Sequence, residues 1–257
     1  MSFLSIQDIH HTYFTKASAT TALTNISLQV EEGEFISFLG PSGCGKTTLL
    51  SIIAGLIKPT QGTVLLEEKR ISTRENQIGY MLQQDYLFPW KTIEENSLVG
   101  LKLSKQLTDT SKKAALSLLK QMGLAGVEKQ LPKQLSGGMR QRVALVRTLA
   151  TEPKLLMLDE PFSALDYQTK LKLEDLVSNT LEKFGKTAIL VTHDIGEAIA
   201  MSDRIILFSP SPGRIHKEFQ MPEELKNLTP FKARNHPAYT SIFQTIWKEL
   251  ESLEPEK

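Results

Sequence analysis

The chain of 257 residues is long enough for one large domain or two small ones, and 40% hydrophobic with 23% charged residues is ordinary for a globular protein. A formal net charge of +1 gives bulk electrostatics no hold on nucleic acid or an anionic membrane. The single cysteine, Cys44, excludes an internal disulfide and any multi-cysteine metal centre. The segment Met1 to Asp8 lacks the basic region and apolar core of a secretory signal. The longest apolar run, Leu49 to Ile57, is interrupted by Ser51 and Gly55 and falls short of the roughly 20 residues that span a bilayer. The expectation is a soluble cytoplasmic chain that a partner would hold at any membrane where it works.

Residues 3–14 and 22–30 alternate apolar and polar positions and read as strands of a small antiparallel sheet. Tyr13 lies near the end of the first, where its ring could stack on a base or belong to the core. Phe35-Ile36-Ser37-Phe38-Leu39 reads as a buried strand. It runs into Gly40-Pro41-Ser42-Gly43-Cys44-Gly45-Lys46-Thr47-Thr48, which fits the phosphate-loop pattern between a strand and a helix. The glycines let successive N–H groups point at a phosphate, and the helix that follows adds its positive end. Lys46 should reach the β- and γ-phosphates, Thr47 should coordinate Mg²⁺, and Thr48 can donate to the α/β-phosphate region. A thiol reagent on Cys44 is expected to block nucleotide binding.

Lys58 to Gly62 reads as a turn, and Thr63 to Leu66 and Ile78 to Leu82 as strands. Leu87-Phe88-Pro89-Trp90 is an apolar patch whose proline argues against a strand or a helix interior. Residues 93–122 read as mostly helical, with Thr108 or Asp109 as a cap. Polar loop residues lead to Gln134-Leu135-Ser136-Gly137-Gly138-Met139-Arg140-Gln141-Arg142, and Val143 through Ala150 continues as a helix.

Leu155 to Leu158 is continuously apolar, as in a parallel strand buried on both faces, and ends in Asp159-Glu160-Pro161. Carboxylates at that end of a strand lie where α/β sheets bind ligands. Asp159 is expected to orient Mg²⁺ through water, and Glu160 to activate the water that attacks the γ-phosphate. A helix from Asp166 to Phe184 follows, then a strand from Ala188 to Thr192 that ends at His193 and so points it to the same crevice. Residues 204–208 and 214–219 flank Ser209-Pro210-Ser211-Pro212-Gly213 as a terminal hairpin. Tyr239, Ile242, Phe243, Ile246, Trp247 and Leu250 fall on one helical face that is expected to pack on the protein itself. There is no internal repeat and no low-complexity segment.

At Leu135-Ser136-Gly137-Gly138-Met139-Arg140-Gln141-Arg142 the chain resembles the ATPase subunits of ATP-binding-cassette (ABC) transporters, with Met139 at the position of the usual signature glutamine. The resemblance covers about residues 1–220. It implies an α/β P-loop NTPase core with a mainly parallel sheet, an N-terminal antiparallel β subdomain and an inserted α-helical subdomain at about 84–151. Residues 221–257 would then form a C-terminal tail with an amphipathic helix. The same resemblance implies that Tyr13 stacks on adenine, that Gln83 is the Q-loop glutamine and a Mg²⁺ ligand, that Ser163-Ala164-Leu165-Asp166 is the D-loop, and that His193 is the switch histidine. It further implies a head-to-tail homodimer enclosing ATP. There the N–H groups of Ser136, Gly137 and Gly138 would form a second anion site on the other copy's γ-phosphate, with Asp166 at the interface.

Phe88-Pro89-Trp90 and Ser211-Pro212-Gly213-Arg214-Ile215 look like the importer ATPases of the nitrate/sulfonate/taurine group, which includes uptake systems for thiamine precursors. The implied protein is an ATPase at the cytoplasmic face of the membrane. Its partners would be permease subunits, met through Gln83 and the patch from Leu87 to Trp90, and indirectly an extracytoplasmic solute-binding protein; nucleic acid would not be among them. The alternatives are the ATPase of an exporter and a soluble ABC ATPase acting in nucleic-acid processing.

Overall fold

The computed structural model describes residues 2–71 and 77–253. Met1 and the last four residues of the expected tail, 254–257, lie outside the described residues. The chain forms two compact units, Met1–Glu75 with Glu174–Lys257, and Asn76–Leu173.

The first unit begins with strands β1 (Leu4–Phe14) and β2 (Ala19–Val30), antiparallel in a register that pairs Leu4 with Val30 and Phe14 with Ala19. Strand β3 (Phe35–Leu39) follows, then helix α1 (Lys46–Ile53) and strands β4 (Gln61–Leu66) and β5 (Lys69–Arg70). The antiparallel sheet has the order β2-β1-β4-β5. Its inward positions Leu4 and Ile6, and Ile26 and Leu28, are buried at period two, and a register shift between Ile6 and Ile9 returns Ile9 to the buried set. The turn expected to end at Gly62 is shorter, because β4 already starts at Gln61, opposite His10. Gly62 is in the left-handed region at φ 89°, and a Cβ there would sit 2.3 Å from the Asp8 carbonyl oxygen.

The second unit opens with β6 (Ile78–Met81) and contains α2 (Ile93–Ser97), α3 (Val99–Leu103), α4 (Asp109–Gln121), α5 (Gly137–Leu149) and β7 (Leu155–Asp159). Strands β6 and β7 are parallel, with Ile78 opposite Leu155. Every residue of β7 is buried. Thr92 and Thr108 cap α2 and α4 by accepting from the N–H groups of Glu95 and Ser111. Helix α6 (Tyr167–Lys183) carries the boundary between the units.

The first unit resumes with β8 (Thr187–Val191), α7 (Ile195–Met201), β9 (Arg204–Phe208) and β10 (Ile215–Gln220). Strand β3 lies parallel to both β8 and β9, and β10 closes the edge antiparallel to β9. Strands β3 and β8 are buried throughout, as their unbroken apolar runs require. Short helices α8 (Glu223–Lys226) and α9 (Pro230–Ala233) lead to α10 (Pro237–Ser252). The apolar face of α10 packs on the protein's own core: Ile246 is fully buried among Leu39, Ile195 and Ile199. Arg234 holds this region by a double hydrogen bond to the fully buried Glu174 carboxylate, with its closer nitrogen 2.5 Å away. Among the described residues, no helix is long and apolar enough to cross a membrane.

Candidate functional site

The phosphate-loop segment joins β3 to α1 through backbone shapes that only glycine takes readily. Gly43 and Gly45 have φ 79° and 94°. A Cβ on Gly45 would lie 2.6 Å from Leu23 Cδ2 and 2.9 Å from the Ala22 carbonyl oxygen. Gly45 is also the N-cap of α1, so this helix starts with no side-chain cap and no acid in its first turn. Its positive end is thereby left for an external anion. Lys46 is buried, and its ammonium donates to the carbonyl oxygens of Gly40 at 2.7 Å and Pro41 at 2.9 Å. Such charged hydrogen bonds are worth about 1.5–3 kcal/mol each, so a group that draws Lys46 away must itself be a strong acceptor.

The turn after β9 is stitched to this loop. Gly213 donates to Ala22 O and accepts from Thr24 N–H, and a Cβ at Gly213 would fall 1.9 Å from the Cys44 carbonyl oxygen. The Pro-Gly turn that resembles one importer group therefore has a physical task here: it lets the backbone lie directly against the phosphate loop. Cys44 is buried, 1% exposed, with its sulfur 3.5 Å from Lys46 Nζ. Burial shields this sulfur from reagents in the folded protein.

Tyr13 is 42% exposed rather than a core residue, and its hydroxyl lies 3.2 Å from the Thr48 hydroxyl. His11, buried beneath it, meets the Tyr13 ring edge-on at 4.5 Å. Burial lowers the pKa of His11, and among the described residues neither ring nitrogen has a hydrogen-bond partner. His193 is exposed at the end of β8, and with Gly40, Pro41 and Ser42 it lines one cavity. Its turn is fixed from both sides: the Thr192 hydroxyl accepts from Asp194 N–H and donates to the buried Glu197 carboxylate, while Asp194 caps α7 through Glu197 N–H.

Gln83, Ser136, Gly137, Gly138, Asp159, Glu160 and Asp166 lie in the second unit. Asp159 is buried at the carboxyl end of β7. Glu160 follows in the left-handed region at φ 48°, a sparse conformation for a residue with a side chain. Its Oε2 accepts from Gln83 Nε2 at 3.0 Å, and Gln141 holds the Gln83 carbonyl at 3.2 Å. Ser136 caps α5 by accepting from Met139 N–H at 3.3 Å. Asp166 accepts from Thr169 N–H at the start of α6, and that contact holds its carboxyl below the usual carboxylate range.

The patch from Leu87 to Trp90 is exposed only in part. Leu87 is 8% exposed, whereas Tyr86 and Trp90 are 59% and 71% exposed, so the outward aromatics are Tyr86 and Trp90. Motif reading also passes over the residues that shape this loop. Asn96, fully buried, accepts from Phe88 N–H and donates to the carbonyls of Phe88 and Lys91. Arg147 donates to the carbonyls of Asp85 and Tyr86, and Arg140 pairs with the Asp85 carboxylate at 2.9 Å. An arginine directly after the apolar run Val143 to Val146 was the available signal for Arg147.

A strand–glycine loop–helix with a buried lysine, and a buried strand ending in Asp-Glu, define a P-loop nucleoside triphosphatase. The profile of the ABC transporter family matches residues 23–163. The chain is 63% identical over 257 residues to the ABC transporter ATP-binding protein YtlC of Bacillus subtilis, covering all of this chain and 99% of that one. It is 40% identical over 241 residues to the aliphatic sulfonates import ATP-binding protein SsuB of Bacillus cereus, covering 93% and 92%. The dimeric post-hydrolysis structure of the ATP-binding cassette MJ0796, bound to ADP and Pi, superposes with a TM-score of 0.78 at 33% identity, covering 85% of this chain and 99% of that one. The chain belongs to the ABC transporter ATPase family.

Proposed function

We propose that this protein is the ATP-hydrolysing subunit of a membrane importer for a small solute of the sulfonate or taurine kind, driven by ATP-dependent closure of a homodimer. The observation that carries the ATPase reading is the backbone-held, buried Lys46 at the uncapped start of α1. The likeness to an aliphatic sulfonate import subunit supports the importer reading, and the dimeric relative supports closure. In this reading residues 1–220 are the nucleotide-binding domain, with its helical insertion at about 84–151, and 221–257 are a tail. The chain works at the cytoplasmic face of the membrane.

Each residue then has a task. Tyr13 stacks on the adenine, and backbone N–H groups from Gly40 to Thr48 surround the phosphates. Lys46 exchanges its two carbonyl acceptors for β- and γ-phosphate oxygens. The hydroxyl of Thr47, the amide oxygen of Gln83 and the carboxylate of Asp159 are hard oxygen donors of the kind Mg²⁺ takes, with Asp159 acting through water. Bound Mg²⁺ supplies positive charge to the phosphate oxygens. Glu160 takes a proton from the attacking water, and Gln83, which already donates to its carboxylate, reports the site's state to the permease through the adjoining Tyr86 and Trp90. His193 donates to the γ-phosphate. Ser136, Gly137, Gly138 and Asp166 serve the nucleotide held by the second copy.

Affinity capture of Glu160→Gln with Mg-ATP from detergent-solubilised membranes tests this reading. It should recover multi-span permease subunits, and Trp90→Ala should lower that recovery while ATP binding by the isolated subunit stays intact. Recovery of soluble partners or nucleic acid alone would contradict the transporter assignment and leave the ATPase chemistry standing.

A further inference from the structure

Helix α10 does more than cover the core. While Ile246 anchors one side of it, Phe243, Trp247 and Leu250 line a cavity of about 570 Å³ together with Ser42 and His193. That volume is in the range of small-molecule sites, which lie at about 300–1,000 Å³. The rings of Phe243 and Trp247 are stacked at 6.2 Å and 14°, and Trp247 remains half exposed. The charged groups on the lining are both acidic, Asp194 and Glu251, and among the described residues no lysine or arginine lines the cavity. Asp194 already caps α7 and lies near the Arg234 guanidinium, so Glu251 is the carboxylate placed for a ligand. Aromatic faces beside a carboxylate suit a cation with an apolar body and disfavour an anion.

We propose that this cavity is a regulatory site for a small organic cation, an amine whose apolar body lies on Phe243 and Trp247 and whose ammonium faces Glu251. The inference rests on the ATPase reading, since it concerns control of that site. The cavity touches His193 and the Gly40 to Ser42 arm of the phosphate loop, whereas Lys46 and Thr47 are not on its lining. In this proposal occupancy acts on the position of His193, and the split between kcat and KM decides whether it also acts on the loop's hold on ATP.

Trp90→Phe leaves Trp247 as the sole tryptophan of the chain, so its fluorescence reports the cavity directly. Titration of that protein with phenethylamine should give a saturable change, with half-saturation about tenfold below that for phenylacetate, an anion of similar shape. Adding Glu251→Gln should raise the amine's half-saturation about two- to fivefold, the range of an exposed ion pair, and Leu250→Phe should weaken binding by filling the space. Over the same amine concentrations kcat for ATP should change at least about threefold while KM stays within about twofold.

No saturable change, or an equal response to phenylacetate, overturns the proposal. So does a change produced by Mg-ATP-driven dimer formation alone and unaffected by the amine, which would assign the cavity to a second copy of the chain. Should the protein prove to hydrolyse no ATP, the parent ATPase reading fails, and the fluorescence titration still decides whether the cavity takes the cation. Because Glu251 is exposed, its substitution leaves folding intact and isolates the charge.

Discussion

Helices α1 and α5 both start at a glycine-rich motif with no acid in the first turn, yet their ends are finished in opposite ways. Helix α1 has a left-handed glycine as N-cap and no side-chain cap, with Leu23 and Ala22 pressed against that glycine. Helix α5 has a serine cap that accepts its own Met139 N–H, and a Cβ on Gly137 would meet only the end of the Arg140 side chain, at 3.9 Å. One end is built rigidly by the chain around it; the other is self-capped and open at Gly137, although a Cβ on the next residue, Gly138, would lie 3.0 Å from Leu165 Cδ2. A rigid end suits a phosphate site made within one chain; an open end whose glycine has no packing reason suits a ligand brought by another chain.

That difference can be broken or sharpened by substitution. Lys46→Met should lower ATP hydrolysis on the order of 100- to 1,000-fold, the usual cost of removing a transition-state charge, read as kcat/KM. Gly45→Ala should cost about 2–4 kcal/mol, or roughly 5–12 °C in Tm, because the left-handed backbone and the Ala22 carbonyl both resist a Cβ. Gly137→Ala should leave stability within about 0.5 kcal/mol and yet weaken Mg-ATP-driven dimerisation about tenfold. Equal stability losses for Gly45→Ala and Gly137→Ala would erase the contrast. Ser136→Ala should lower stability by about 1 kcal/mol through loss of its cap.

The smallest effect concerns His11. Its folded pKa is below the ordinary value of 6.5, so the unfolded chain binds the proton more readily. Stability is then complete above about pH 6.5 and declines as the pH falls below it. Replacing His11 with Phe should flatten that acid limb, as measured by urea unfolding at several pH values, and leave neutral-pH stability nearly unchanged.

Strands β3, β7 and β8 were legible because continuous apolar runs admit few other readings in a chain that also carries a phosphate loop. The cap of α4 was legible as Thr108 or Asp109 for the same local reason, and the structure settles it on Thr108. Contacts across long sequence distances were not. Nothing in the local pattern tells that Gly213 lies against Cys44, or that Asn96 and Arg147 hold the loop at Asp85 to Lys91. Burial inside the aromatic patch was misread at Leu87 because a proline-broken segment has no period from which to assign faces. For the candidate site, the motifs supplied the residue types and the structure added what steadies several of them: carbonyls on Lys46, Gln83 on Glu160, and Thr192 with Glu197 under the His193 turn.

The most direct test of the central claim is sedimentation of Glu160→Gln with and without Mg-ATP, with bound nucleotide quantified. A dimer that forms only with Mg-ATP, retains unhydrolysed ATP in proportion to chain number and is lost in the double variant with Gly137→Ala is the predicted result. A protein that binds ATP stoichiometrically and remains monomeric at every concentration would contradict the account.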